Sequence, residues 1–447
     1  MEEQALTMKP NNQTLEVGHA EKASLLSYLT GAYLFFFYMQ ASLRWPAFEA
    51  IRFHFVFGLI LTFLCLFKHL SSKRKYENQH SNNQGNENKD ESKSLINCTF
   101  LFILVMGFYS VASYVPAISM DVYNRRVIKF ALISFFIVVS VEKVKDLKVI
   151  MIFLLLAWLK ISSEGFIGWV TGSLMWQNQG VQRLHGASAF VGHPNSFSAF
   201  GVGCLAFSLY LFKGFQDKRL KLMMAAIVVF SLVIIIFTGS RSGYVAVILA
   251  AIYLFFKMKE GKLKVFFVSM VVIVALTPMI PEQYYERFQS IYTGKAAEGN
   301  SSSTRTVIMT DALKIYAKYP LGIGIQAFSS VRIDMFGRVQ NIHMLYLEIL
   351  TNLGPLGMIM FFIFIKRIFY LNNLNIAKTE ILLKKNNQDN DLLFLQSLSK
   401  AIIAFLVLRL IFGLFAMDLY EPHWWLVLGL TLAVYKLIPT CKTKELT

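Results

Sequence analysis

Long apolar segments separated by short charged loops constrain the fold of this 447-residue chain more than any other feature. A transmembrane helix needs about 20 predominantly apolar residues, and about twelve stretches of the chain meet this requirement. Only 16% of the residues are charged, whereas a soluble domain carries about 25%. The sequence therefore predicts an all-α, polytopic membrane protein. The predicted spans are 24–42, 50–68, 96–115, 127–141, 148–169, 196–213, 220–238, 242–257, 263–281, 343–365, 399–416 and 423–440.

The lysine-rich loops predict how the chain is oriented in a membrane. Segments rich in lysine alternate with loops that hold little lysine, and all of them fall on one side if there are about twelve spans. Because positive charge is normally retained on the cytoplasmic side, both termini are predicted to be cytoplasmic. The lysine-rich segments are 68–95, 142–148, 213–221, 257–264 and 366–398.

The predicted spans divide the chain into membrane and loop regions. The N-terminal tail lacks the basic start and short apolar core of a signal peptide, so the first helix is expected to be retained. The regions are a cytoplasmic tail at 1–23, helices 1–9 at 24–281 with a cytoplasmic linker at 69–95, an external loop at 282–342 between helices 9 and 10, helices 10–12 at 343–440 with a cytoplasmic excursion at 366–398, and a cytoplasmic tail at 441–447. The polar linker around 76–94 reads as disordered.

Composition and cysteine spacing exclude several classes of function. The net charge of +17 does not indicate nucleic-acid binding, because the lysines lie in short loops where membrane insertion explains them. No pair of the four cysteines shows the spacing of a metal site or a disulfide framework. We therefore predict that the protein contacts membrane lipids and that it binds no nucleic acid, metal or cofactor.

Arginine is concentrated in the predicted external loops, against the usual bias of positive charge. A planar guanidinium binds phosphate through two parallel hydrogen bonds, which gives arginine a reason to be there. We therefore expect a phosphorylated lipid to be handled on the outer side of the membrane. The external arginines are Arg44, Arg125, Arg126, Arg183, Arg241, Arg287, Arg305, Arg332 and Arg338.

Arg241 lies in a tight turn between two predicted helices, at 238–243. Ser240, Ser242 and the adjacent glycines offer hydrogen-bond donors and space for a ligand. An arginine at this depth is costly unless it is paired or faces a polar cavity. The alternative is a side chain that reaches the interface without a functional role.

Arg305 is predicted to begin an amphipathic helix that runs from Thr304 to Lys318 and lies on the outer face. Ser303 or Thr304 is a candidate cap, and the backbone donors at that end would complete an anion site. Pro320 and the glycines that follow are expected to end the helix. The alternative is an ordinary surface arginine in a first helical turn.

Histidines complete the candidate site. His343 stands at the mouth of a predicted helix and could act as a general base near neutral pH. Arg183, His193 and Asn195 lie in a loop before the sixth helix and are candidates for contact with sugar or phosphate. Arg287 of the long external loop is assigned to the same substrate-binding set. The histidines of the earlier loop do not indicate a metal, because no cysteine or close acidic partner accompanies them.

The order of these motifs resembles the bacterial O-antigen ligase and O-antigen polymerase superfamily of membrane glycosyltransferases. The resemblance rests on about twelve helices with a large external loop between the ninth and tenth, and on three motifs within about 170–365. The motifs are the run 189–195 before the sixth helix, the Ser-Arg-Ser-Gly turn at 240–243, and the arginine-led helix at 305–324 followed by His343.

The resemblance implies a metal-independent enzyme of the bacterial inner membrane that uses a glycan linked to undecaprenyl pyrophosphate. Arg241 and Arg305 would hold the pyrophosphate, and His343 would take the proton from the acceptor. A polymerase transfers the chain to another lipid-linked glycan, and a ligase transfers it to lipid A core. Met358 and Ile359 stand where ligases carry two threonines, which favours a polymerase of O-antigen or exopolysaccharide.

A transporter of lipid-linked oligosaccharide is the alternative from another class. Transporters place charged groups near the middle of the bilayer and are often built from repeated halves. The notable charges of this chain lie at the predicted outer rim, and the sequence has no evident repeat. The pattern therefore favours an enzyme.

Overall fold

A computed structural model describes residues 22–79, 91–178, 181–257, 282, 301–385, 389–416 and 419–443. Within these ranges the chain is almost entirely helical, and its strands form a single antiparallel hairpin. Seven of the described helices are long and apolar enough to cross a membrane. The protein is therefore an all-α membrane protein, as predicted, while the total of about twelve spans remains a prediction.

The helices and strands are α1 (Leu25–Met39), α2 (Ala41–Arg44), α3 (Pro46–Ala50), α4 (Phe53–Gln79), α5 (Glu91–Val111), α6 (Pro116–Val122), a π-helical segment (Tyr123–Ile128), α7 (Lys129–Ser140), α8 (Val144–Val170), β1 (Met175–Asn178), β2 (Val181–Leu184), α9 (Pro194–Gly214), α10 (Lys218–Phe237), α11 (Arg241–Lys257), α12 (Ser301–Lys318), α13 (Phe328–Phe336), α14 (Leu345–Lys385), α15 (Asn390–Phe412) and α16 (His423–Thr443).

Each predicted span coincides with a helix, except that 263–281 lies outside the described residues. Three of these helices are short for a span, since α1, α7 and α11 have 15, 12 and 17 residues. One predicted loop edge is helical instead, since α4 continues to Gln79. Helix α14 continues to Lys385 into the predicted cytoplasmic excursion, because the Lys, Glu and Leu residues there are good helix formers.

Hydrogen bonds and ion pairs join distant segments of the chain at each end of the helix bundle. At one end Ser24 N donates to Asp146 Oδ1 at 2.7 Å, and Lys148 Nζ lies 2.6 Å from Asp391 Oδ1. At the other end Ala189 N donates to Gln40 Oε1 at 2.7 Å. These contacts lie near the two ends of α1. We call the end that holds Gln40 and Ala189 the outer end.

A kink in α14 receives a loop from the outer end. Pro355 has no N–H to donate to Thr351 O, and Gly354 leaves the helical conformation with φ 59° and ψ −166°. Ile323 N donates to Thr351 O at 3.0 Å, and Gly324 N donates to Asn352 O at 2.8 Å. The turn after α12 therefore supplies the hydrogen bonds that the kinked helix has lost.

The structure contains a helix, α12, where the sequence predicts one, and it ends at Lys318 as predicted. Its apolar face packs against other helices of the protein. Ile308, Ala312 and Ile315 recur at helical spacing and are buried against α13 and the start of α14. The helix begins at Ser301, so the predicted caps Ser303 and Thr304 lie within its first turn. That correction places Arg305 one turn inside the helix, because the polar run before it continues the helix backwards.

A buried ion cluster ties α12 to α13. Asp311 is only 3% exposed and accepts a hydrogen bond of 2.9 Å from Arg332 Nε, whose side chain is also buried. Arg338 Nη1 donates to the same carboxylate at 3.0 Å. Because a buried carboxylate needs compensating partners, this cluster fixes the helix that carries Arg305.

Candidate functional site

A cavity of about 710 Å³ opens inside the bundle at the outer end. This volume lies within the roughly 300–1,000 Å³ typical of ligand sites. From His193 to Phe207 the cavity follows α9 for about 20 Å, given a rise of about 1.5 Å per residue. It is therefore large enough for an extended ligand that reaches from the outer end into the bundle.

Residues from separate parts of the chain meet in this cavity. His193 and Asn195 come from the start of α9, Ser242 from α11, Arg305 from α12, and His343 precedes α14. These five were predicted as site residues from motifs up to about 150 positions apart. The structure brings them into one lining.

Arg305 lines the cavity, and its surroundings favour the binding of an anion. Its side chain is partly buried, and burial together with the positive charge of Arg241 lowers the pKa of its guanidinium. Within the described part of the chain, Arg305 has no carboxylate within ion-pair distance. Two neighbouring guanidiniums repel each other, and a bound phosphate would relieve that repulsion.

His343 and His193 are both held in the neutral form near pH 7. Burial, followed by the charge of Arg305, lowers the pKa of His343. Burial lowers the pKa of His193 to about 4, with further contributions from Arg183, His343 and Arg305. A neutral imidazole can accept a proton, so His343 has the protonation state that a general base requires.

His193 also has a structural role. Its Nδ1 accepts a hydrogen bond of 3.1 Å from Asn195 N and thereby caps α9. The capping bond requires the proton of the ring to lie on Nε2. His193 therefore presents a donor to the cavity while it fixes the helix start.

Arg183 is buried behind the cavity lining. Its Nε donates to Thr238 O at 2.7 Å, and its Nη2 donates to Asn195 Oδ1 at 2.8 Å. The side chain is 1% exposed, and Arg183 does not line the cavity. It joins the loop before α9 to the turn before α11, so the structure supports a positioning role.

The serines of the turn before α11 differ in position. Ser240 is fully buried, and its Oγ accepts a hydrogen bond of 3.3 Å from Gly243 N, which caps α11. Ser242 lines the cavity, with its Oγ 2.9 Å from that of Ser240. Arg241 begins α11 beside them and acts on Arg305 electrostatically. Arg287 lies outside the described residues.

Most other predicted external arginines bind carboxylates of the protein. The large number of external arginines is therefore explained in part by ion pairs within the protein. This corrects the expectation that these arginines all bind phosphate. The pairs are Arg44 with Glu164 at 2.6 Å, Arg125 with Asp121 at 2.6 Å, Arg126 with Glu421 at 3.6 Å, and Arg332 and Arg338 with Asp311 at 2.9 and 3.0 Å.

A second polar group lines the cavity and was missed by the sequence interpretation. It consists of Arg409 in the last turn of α15, Glu421 in the loop that follows, and His423 at the start of α16. The available signal was Arg409 itself, because an ionisable residue within an apolar span usually has a functional reason.

Residues 196–362 match the family model described as O-antigen ligase. The match supports the resemblance of the chain to the O-antigen ligase and O-antigen polymerase superfamily. The matched segment holds Arg241, Arg305 and His343, whereas the second polar group lies outside it. No curated protein matches the chain. Members of this family are membrane enzymes that transfer glycans, which fits a cavity at one end of a transmembrane bundle.

Proposed function

We propose that the protein is an inverting, metal-independent glycosyltransferase of the bacterial inner membrane. Its donor is a glycan linked to undecaprenyl pyrophosphate and presented at the outer face. The observation that carries this proposal is the meeting of Arg305 and the neutral His343 in one cavity, where the charge of Arg241 also acts on Arg305. Such a site offers charge for a pyrophosphate and a base for a sugar hydroxyl.

In the proposed reaction, the acceptor hydroxyl attacks the anomeric carbon from the face opposite the pyrophosphate. His343 takes the hydroxyl proton as the new glycosidic bond forms. The bond between the anomeric carbon and the pyrophosphate oxygen breaks, and its electron pair leaves with the lipid pyrophosphate. Arg241 and Arg305 stabilise the charge that develops on this leaving group. Attack from the opposite face inverts the anomeric configuration.

We further propose that the acceptor is another lipid-linked glycan, which makes the protein a polymerase of O-antigen or exopolysaccharide. The description of the matching family favours the second candidate, a ligase that transfers the glycan to lipid A core. The two activities use the same donor and differ in the acceptor.

The glycan profile of a deletion strain tests these proposals. Loss of long chains with single repeats still attached to lipid A core indicates a polymerase. Long chains that remain on undecaprenyl pyrophosphate and are absent from lipid A core indicate a ligase. Lipid-linked glycan trapped on the inner face would contradict both proposals and indicate a transporter.

We expect glycan transfer to be insensitive to mild acidification. Because burial and the charge of Arg305 lower the pKa of His343, its base form persists below the ordinary histidine pKa of about 6.5. The transfer rate in membrane vesicles should stay constant from about pH 8 to about 6.5 and fall only below that value. His343→Ala should remove this acid limb together with most of the rate. An acid limb with its midpoint above about 6.5 would contradict the assignment of His343.

A further inference from the structure

The cavity has a second polar wall formed by Arg409, Glu421 and His423. All three residues line the cavity that also contains Arg305 and His343. They come from the end of α15, the start of α16 and the loop between them, after the segment that matches the family model. The mechanism proposed above uses none of them.

His423 is the member of this wall that most clearly indicates a ligand. It is only 6% exposed, and among the described residues its Nε2 has no hydrogen-bond partner. Its ring is held by Trp424 and Phe405, with centroids 4.6 and 5.9 Å away. A buried nitrogen without a partner is costly, so a ligand group that bonds to it is favoured.

The two walls of the cavity carry different charged groups, so each suits a different kind of ligand. The first wall is the part of the lining that contains Arg305 and His343, and the positive charge of Arg241 acts on Arg305, which suits a phosphate. The second wall holds a carboxylate, Glu421, together with Arg409, and Glu421 also lies 3.6 Å from Arg126. The carboxylate offsets positive charge that would otherwise attract a phosphate, and it accepts hydrogen bonds from hydroxyls, so the second wall suits an uncharged ligand rich in hydroxyl groups.

Aromatic rings lie beside the second wall. Tyr38, Trp158 and Phe207 all line the cavity, and the ring of Trp158 lies 6.4 Å from that of Tyr38 and 5.2 Å from that of Phe207. The ring of Phe207 lies 5.4 Å from that of Phe405, which in turn lies 5.9 Å from the ring of His423. Flat apolar surfaces beside a few polar groups match a sugar ring, which has an apolar face and a polar edge.

We propose that Arg409, Glu421 and His423 form a sugar-binding subsite for the saccharide unit that adjoins the reacting bond. The occupant is an uncharged, hydroxyl-bearing sugar ring, held by hydrogen bonds at its edge and by aromatic contact on its face. This inference rests on the proposed function and adds the residues that recognise the glycan. It separates the recognition of the sugar from that of the pyrophosphate, which falls to the first wall.

The test compares two probes on the full-length chain in lipid nanodiscs. The probes are inorganic pyrophosphate and the oligosaccharide repeat of the host surface glycan, released from its lipid. His423→Phe keeps a ring between Phe405 and Trp424 and removes the nitrogen. We expect its Kd for the oligosaccharide to rise about tenfold or more while its Kd for pyrophosphate stays unchanged.

Three further variants make the comparison specific. Glu421→Gln should show the same selective loss, and it provides a second measurement if His423→Phe does not fold. Arg305→Ala should show the reverse pattern, with pyrophosphate binding lost and oligosaccharide binding retained. His54→Phe is the matched control, because His54 lies on α4 away from the cavity, and it should change neither affinity.

The outcomes distinguish failure of the subsite from failure of the proposed function. Unchanged oligosaccharide binding in both His423→Phe and Glu421→Gln would overturn the subsite alone. Loss of both probes by a folded His423→Phe protein would also overturn it, since the effect would then be structural. A wild-type protein that binds neither probe would overturn the proposed function together with the subsite.

Discussion

Replacement of Arg305 by alanine is expected to lower the rate of glycan transfer by about 10²–10³-fold, the cost of losing one preorganised group that stabilises developing charge. The guanidinium lines the cavity and is affected by the positive charge of Arg241, and the described residues provide no carboxylate within ion-pair distance of it. The measurement is the rate at which lipid-linked glycan is consumed by membranes that contain equal amounts of inserted protein.

Two companion variants test the reason for this loss. Arg305→Lys should recover only part of the rate, because an ammonium lacks the planar fork that binds phosphate bidentately. Arg125→Ala is the matched control among the external arginines, since Arg125 is 78% exposed, pairs with Asp121 and does not line the cavity. It should change the rate little. Normal glycan output from the Arg305→Ala protein would refute the role given to this residue.

Replacement of Gly354 by alanine is expected to destabilise the protein more than the same replacement at Gly337. Its φ of 59° with ψ of −166° lies in a region used almost only by glycine, which costs other residues about 1–3 kcal/mol. An added Cβ would also lie 2.5 Å from Leu321 O and 2.7 Å from Leu321 C. The turn that supplies hydrogen bonds to the kinked helix would have to move away.

Gly337→Ala is the matched control for that experiment. Gly337 also has a positive φ, of 65°, but nothing lies within 4 Å of an added Cβ. It should cost only the strain of the left-handed conformation, about 1–2 kcal/mol. The measurement is the midpoint of thermal unfolding in detergent. Equal midpoints for the two variants would show that contact between the turn and the kink does not stabilise the fold.

Local sequence signals predicted the elements that carry the site. The apolar segments predicted the helices, and the glycine-rich run after Lys318 predicted where α12 ends. The motifs around Arg305 and His343 predicted two residues that the fold brings into one cavity. These features were readable because hydropathy, helix propensity and turn chemistry depend on neighbouring residues.

Hydrogen bonds between distant segments could not be predicted from such local sequence signals. Because Pro355 has no N–H, the carbonyl of Thr351 lacks its helical donor. Nothing in the sequence near Pro355 indicates that Ile323 N donates to this carbonyl instead. Arg183 looked like a candidate for ligand contact, and only the fold shows its guanidinium buried on Thr238 and Asn195. An arginine has the same sequence signature whether it binds a ligand or a backbone carbonyl.

The sequence by itself determined the membrane class and the long apolar helices, and it identified Arg305 and His343 as site candidates, because each follows from the composition or order of nearby residues. The tertiary structure alone decided which external arginines pair with carboxylates of the protein, and that Arg409, Glu421 and His423 face the same cavity as Arg305. The physical reason is that hydrogen bonds, ion pairs and cavities depend on distances between segments, which packing sets.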